Sequence, residues 1–160
     1  MSVAGPEQPV TRQRSRLERW SPPIIIAAAV FALIQLDKSI PFDPGVPPAF
    51  GLAALAVGIA LAAWSWWTLR RAGTTNDGTG AATALVTHGP FRLSRNPHRL
   101  GLFLGIVGLG LLIGKGWLLL MVVVPVLSAR LVHIPREEAH LAALFGDEWT
   151  AYAARTRRWL

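Results

Sequence analysis

The chain has 160 residues, 52% of them hydrophobic and only 16% charged, with a formal net charge of +7 and no cysteine. Soluble domains carry about 25% charged residues, so this composition argues against an ordinary aqueous domain and points to lipid surroundings. The missing cysteines exclude disulfides, thiolate metal sites and a cysteine nucleophile. A pI of about 11.5 and a mean hydropathy of +0.39 fit a membrane protein with a basic face. No basic, amphipathic helix of the kind that reads nucleic acid is visible, so no nucleic-acid partner is expected.

Residues 1–20 form a polar, basic N-terminal segment with Arg12, Arg14, Arg16 and Arg19, ending at Trp20. Pro22 and Pro23 then open the first apolar block, which with its flanks runs over 22–38 and is long enough to cross a bilayer. No small-x-small cleavage site precedes a polar domain, so this block reads as a retained anchor. A proline-rich loop to Pro48 leads to a second span over 49–69, rich in Ala and Gly. Gly51 with Ala54 or Gly58 offers a face for close helix contact, and Trp64, Trp66 and Trp67 read as an interfacial belt. The connector from Arg70 to Thr87 is rich in Gly and Thr and reads as turns.

Two further apolar blocks follow, expected to span over 99–114 and 116–134 and to fold as a hairpin about Gly114-Lys115-Gly116. Gly101, Gly105, Gly108 and Gly110 are expected to let those two helices approach closely. The tail, 136–158, is a cytoplasmic helical passage broken at Phe145-Gly146. Leu141, Leu144, Phe145, Trp149 and Tyr152 form a stripe that packs on the body, and Arg155, Arg157, Arg158 and Trp159 read as an interfacial anchor. The fold class is thus all-α: an integral membrane bundle of about four transmembrane helices with a cytoplasmic C-terminal helical segment, residues 21–160 making one domain. Of the 16 basic residues only Lys38 and Lys115 lie in the loops opposite the termini. The positive-inside rule then puts both termini in the cytoplasm, with the cell inner membrane as the expected location.

Two polar passages interrupt this apolar sequence on the cytoplasmic side. The first runs from Gly89 to Gly101 and holds Arg92, Arg95, His98 and Arg99. In it Pro90 and Pro97 disfavour helix in the residues before them. The second, His133 to Glu138, places adjacent carboxylates after Pro135 at the start of a helix, where the macrodipole favours them. His133, Glu137 and His140 share a helical face, but the H-E-x-x-H pattern is absent and Pro135 interrupts the set, so no metal is expected.

The run Leu85-Val86-Thr87-His88-Gly89-Pro90-Phe91-Arg92, then Ser94-Arg95-Asn96-Pro97 and Leu100-Gly101, is followed by Ile134-Pro135-Arg136-Glu137-Glu138, Leu141, Phe145-Gly146, Trp149, Tyr152 and an Arg-Trp end. In order and spacing, across about residues 70–160, this series resembles the membrane methyltransferases that include isoprenylcysteine carboxyl methyltransferases and phospholipid N-methyltransferases. The resemblance implies S-adenosylmethionine as methyl donor, bound at the cytosolic surface by His88, Gly89, Phe91, Arg95, Asn96, Pro97, Glu137 and Glu138. Of these, Arg95, Glu137 and Glu138 are the residues expected to act in catalysis.

The donor carries an ammonium, a carboxylate and ribose hydroxyls. Carboxylates suit the ammonium or hydroxyls, and an arginine fork suits the carboxylate. The expected reaction is methyl transfer to a lipophilic acceptor, a carboxylate or an amine, at the membrane surface; for an amine, His88 or His133 is a candidate proton acceptor. The family places an aromatic after the Asn-Pro or His-Pro step, whereas this chain has His98-Arg99, and Arg99 then invites an anionic acceptor or headgroup. Two other readings stay open: a membrane scaffold or lipid-binding protein without catalysis, and a nicotinamide-dependent membrane reductase of similar C-terminal architecture.

Overall fold

The computed structural model describes residues 31–33, 35–74 and 82–160. The chain divides into two units, Met1–Ser39 and Ile40–Leu160. In the first, residues 31–33 and 35–39 are helical, and the rest of the expected 22–38 span lies outside the described residues. The second unit is helical, with no strand among its described residues.

Helix α1 spans Pro48–Arg71 and opens on a proline, whose missing N–H costs nothing in a first turn. It ends where Gly73 takes φ +67° and returns its N–H to Arg70 O. Helix α2, Pro97–Leu112, also opens on proline. After the turn at Gly114 the chain is helical again from Trp117 to Arg155, in pieces: α3 (Trp117–Leu120), α4 (Val123–Ser128), a π-helical turn (Ala129–His133) and α5 (Ile134–Arg155). The prolines account for the segmentation. Pro125 and Pro135 cannot donate to the carbonyls four residues back, and the chain yields just before each. Pro135 therefore does not interrupt the helix as expected; the π turn absorbs it, with the Ile134 N–H donating to Ala129 O. Helix α1 and the run Trp117–Arg155 are each long and apolar enough to cross a membrane, while α2 is a shorter apolar helix.

The glycines of α2 serve a different contact from the expected one. A Cβ on Gly101 would fall 2.7 Å from Ala62 N and from Gly58 O, and one on Gly108 would strike the backbone of Leu55, so these glycines let α2 lie against α1. Only Gly110 faces α3, toward Leu118 and Leu119. The small faces of the two helices match one another, which buries Gly51, Gly58, Gly101 and Gly108.

The ends of this pair are pinned separately. At one end the Gly116 N–H donates to Phe42 O (2.8 Å), Trp117 Nε1 donates to Ile40 O (2.8 Å), and the two rings meet edge to face. The loop before α1 and the turn after α2 thus share an end. At the other end lie the last turn of α1, the Gly89–Pro97 passage and the return of α5.

Candidate functional site

The Gly89–Pro97 passage is a 3-10 turn (Gly89–Arg92) followed by a tight bend. Gly89 sits at φ +62°, and a Cβ there would press on the Thr68 side chain at 3.3 Å, so conformation and space both call for glycine. Pro90, Phe91, Ser94, Asn96 and Pro97 are buried. The bend is stitched by its own polar groups and by the C-terminal strap that follows α5. The Arg95 N–H donates to Arg157 O at 2.9 Å. Ser94 Oγ donates to Arg158 O and accepts the Asn96 N–H. Asn96 Nδ2 donates to Arg158 O at 3.1 Å, and Asn96 Oδ1 accepts Arg99 Nη1 at 2.7 Å. The amide thus uses both its donor and its acceptor, a pair that Asp or Leu cannot supply.

The adjacent carboxylates separate because neighbours on a helix point about 100° apart. Glu138 takes Arg95 Nη1 at 3.0 Å and the fork of Arg158, whose pKa rises further through that hydrogen bond. Glu137 takes Arg99 Nη2 at 2.8 Å. Three guanidiniums therefore meet two carboxylates, leaving the cluster one positive charge in excess. Arg99, expected to invite an anionic acceptor or headgroup, is held inside the cluster by Asn96 and Glu137. The Arg158 guanidinium, expected in the interfacial anchor, is held by Glu138. It turns inward because Gly146 bends α5 and returns the strap to the bend. Trp159 follows, with its ring 5.9 Å from that of Phe103.

Next to this cluster lies a cavity of about 50 Å³. Its walls include Phe91, Arg95, Glu137, Leu141, Trp149 and Tyr152, together with Ala82, Ala84, Leu85 and Val86. Trp149 and Tyr152 are the buried members of the tail stripe, whereas Leu144 faces outward. Tyr152 donates its hydroxyl to Phe91 O at 2.8 Å, and burial pushes its pKa up to about 12, against the nearby Arg95 and Arg155. The Arg95 guanidinium lies 5.8 Å from the Trp149 ring, and its Nε is buried with no hydrogen-bond partner. An unmet buried donor on the wall of a cavity is what an anionic ligand would satisfy.

Of the residues expected in one site, Phe91, Arg95 and Glu137 border the cavity. Asn96 and Pro97 form the bend beside it, and Glu138 stands behind Arg95. His88 is exposed, and neither it nor Gly89 borders the cavity. Tyr152, Trp149 and Arg158 are the members that sequence reasoning placed elsewhere; the signal available for them was their order in the family-like series.

A second hollow, about 510 Å³, opens between α1 and α2. It is apolar apart from His98, and Trp66 stands at the same end.

The profile of the phospholipid methyltransferases matches residues 46–148, from the loop before α1 to just beyond the Gly146 bend. No individually curated protein matches the chain closely.

Proposed function

The chain belongs to the phospholipid methyltransferase family, a methyltransferase family acting on lipid-like substrates, and from that premise we propose that it transfers a methyl group from S-adenosylmethionine to a lipophilic acceptor at the cytoplasmic surface of the cell inner membrane. The accompanying topology is four crossings, over 22–38, 49–69, 99–114 and 116–134, with both termini cytoplasmic.

The observation that carries this reading is Arg95. The residue lines the cavity, its Nε is buried and unpartnered, and it belongs to a cluster with one positive charge in excess. That donor set fits the carboxylate of an amino-acid moiety. Glu137, on the same wall, fits the ammonium or the ribose hydroxyls. Glu138 does not reach the cavity and acts by holding Arg95 in place. The group bound here supplies an electrophilic methyl on a sulfonium. Phe91, Trp149 and Tyr152 provide aromatic walls that suit a cation and exclude water. In-line transfer to a lipid depends chiefly on alignment, which a bend held by so many hydrogen bonds provides. About 50 Å³ holds little more than a water or two, so a nucleoside would need the walls of this cavity to part.

The test is a titration of S-adenosylhomocysteine into detergent-purified protein, with NADPH in a parallel titration. Binding of S-adenosylhomocysteine that is lost in Arg95→Gln and weakened in Glu137→Gln is the expected result. Binding of NADPH alone replaces this reading with a reductase, and binding of neither replaces it with a scaffold.

A further inference from the structure

Resting on the methyl-transfer reading above, we infer that the bend and the C-terminal strap dock together on anionic headgroups of the bilayer, and that lipid held there by Arg92 and Arg157 favours donor binding by keeping Arg95 in place. This lipid is a regulator at the membrane surface and not a methyl acceptor. Bend and strap form one hydrogen-bonded unit. The Arg95 N–H donates to Arg157 O at 2.9 Å, and Ser94 Oγ and Asn96 Nδ2 both donate to Arg158 O.

Each half of this unit turns some side chains inward and others outward. The strap leaves α5 at Thr156, whose φ of −123° and ψ of 127° are extended. Side chains of an extended segment alternate in direction. Thr156 is buried, Arg157 is exposed, and Arg158 turns back to Glu138. In the bend Phe91 and Ser94 are buried, while Arg92 and Leu93 between them are exposed. Leu93 is 60% exposed and Leu160, beyond Trp159 on the strap, is 70% exposed. The inward groups serve the donor cavity, which Phe91 and Arg95 line. The outward ones are two arginines and two leucines.

Among the described residues no carboxylate pairs with Arg92 or Arg157; Glu137 and Glu138 are taken by Arg99, Arg95 and Arg158. A guanidinium matches a lipid phosphate, and a leucine beside it reaches the acyl boundary, the pairing that surface-bound basic segments use. A free anion would satisfy the arginines and leave both leucines in water. Arg157 links the two sides of the unit. Its side chain is exposed while its own carbonyl holds the Arg95 N–H. A headgroup on that guanidinium therefore restrains the strap that positions Arg95. Lipid that prefers the docked strap and a donor that needs Arg95 in place then favour each other by the same factor.

The full chain is placed in nanodiscs of phosphatidylcholine alone or mixed with phosphatidylglycerol, which has no amine to methylate. S-adenosylhomocysteine carries one ammonium and one carboxylate and so no net charge, and surface potential alone does not concentrate it. Its affinity is expected to be roughly fivefold higher with phosphatidylglycerol. Hydrogen exchange at the Arg95 amide is expected to slow in the same lipid. Arg92→Gln combined with Arg157→Gln is expected to abolish both responses while keeping the affinity seen in phosphatidylcholine. Arg130→Gln combined with Arg136→Gln removes the same charge at exposed positions elsewhere and is expected to keep both responses. Equal affinity in the two lipids overturns the coupling to the donor site. Responses that survive the first pair of substitutions overturn Arg92 and Arg157 as the contact. Responses lost in the second pair, or reproduced by inorganic phosphate over phosphatidylcholine, overturn the docked lipid surface. Absence of S-adenosylhomocysteine binding in every nanodisc, with the exchange response intact, overturns the methyl-transfer reading and leaves the lipid surface standing.

Discussion

Arg158 closes a fork on Glu138, Nε to Oε1 at 3.1 Å and Nη2 to Oε2 at 2.5 Å, while Arg95 shares Oε1 at 3.0 Å. One carboxylate therefore ties the C-terminal strap to the arginine on the cavity wall. Removing its charge leaves two guanidiniums facing each other. Glu138 is 16% exposed and Arg158 38%, so the two losses differ. Glu138→Gln is expected to cost about 2–3 kcal/mol of stability. Arg158→Gln is expected to cost about 1 kcal/mol, because its exposure admits solvent screening. Glu138→Gln also weakens S-adenosylhomocysteine binding by releasing Arg95, whereas Arg158→Gln leaves the Arg95–Glu138 pair in place. The double variant is expected to be no worse than Glu138→Gln alone, which unfolding and titration of all three will check. Additive losses would mean that the strap acts independently of Glu138.

That relationship also marks where sequence reasoning stopped. The polar island of Gly89 to Pro97 was readable because glycines, prolines and arginines stand out against apolar helices, and its closeness to Glu137-Glu138 followed from the order of the family-like series. Which arginine meets which glutamate was not readable, since Glu137 and Glu138 are chemically identical and only their helical phase separates them. The inward turn of Arg158 depends on a contact across more than sixty residues, set by the bend at Gly146. The α2 glycines announced a close approach but not the partner, because a small face fits any other small face. The break at Gly146 was local, and it was read correctly.

Tyr152 sets a pH limit. Burial raises its pKa from the usual 10 to about 12. The neutral phenol, donating to Phe91 O, is the form the fold prefers. Its contribution is thus fully present below about pH 10 and is lost as pH climbs toward about 12. Tyr152 is the only tyrosine in the chain, so phenolate absorbance reports this group alone. A titration midpoint well above that of free tyrosine is expected. Tyr152→Phe is expected to show a shallower loss of stability over the same alkaline range. An ordinary midpoint in the folded protein would place Tyr152 in water.

Two glycines on facing helices are expected to respond oppositely to alanine. A Cβ on Gly58 falls 2.6 Å from Gly105 N and 2.7 Å from Gly101 O, both backbone atoms that move only if the helices part. Gly58→Ala is expected to cost about 2–3 kcal/mol. A Cβ on Gly105 meets nothing within 4 Å. Gly105→Ala is therefore expected to be neutral, or to stabilise by up to about 1 kcal/mol through helix propensity. Thermal unfolding in detergent measures both, and equal effects would contradict the α1–α2 seam described here.

Gly146 offers the sharpest test of how the tail reaches the site. Its backbone stands at φ 49°, ψ −118° inside the helical run, and a Cβ there would touch nothing within 4 Å. Any cost of substitution is therefore conformational. Gly146→Ala is expected to lose about 1–2 kcal/mol. If the helix straightens to relieve the strain, Trp149 and Tyr152 leave the cavity and ligand affinity falls as well. For a D-residue the same backbone is equivalent to φ −49°, ψ 118° in an L-residue, close to the broad extended region that side chains accept. D-alanine at position 146, introduced by semisynthesis, is thus expected to restore both stability and S-adenosylhomocysteine binding where L-alanine does not. The two isomers have the same atoms and favour opposite signs of φ. Equal losses from both would show that the bend is not what delivers Trp149 and Tyr152 to Phe91 and Arg95.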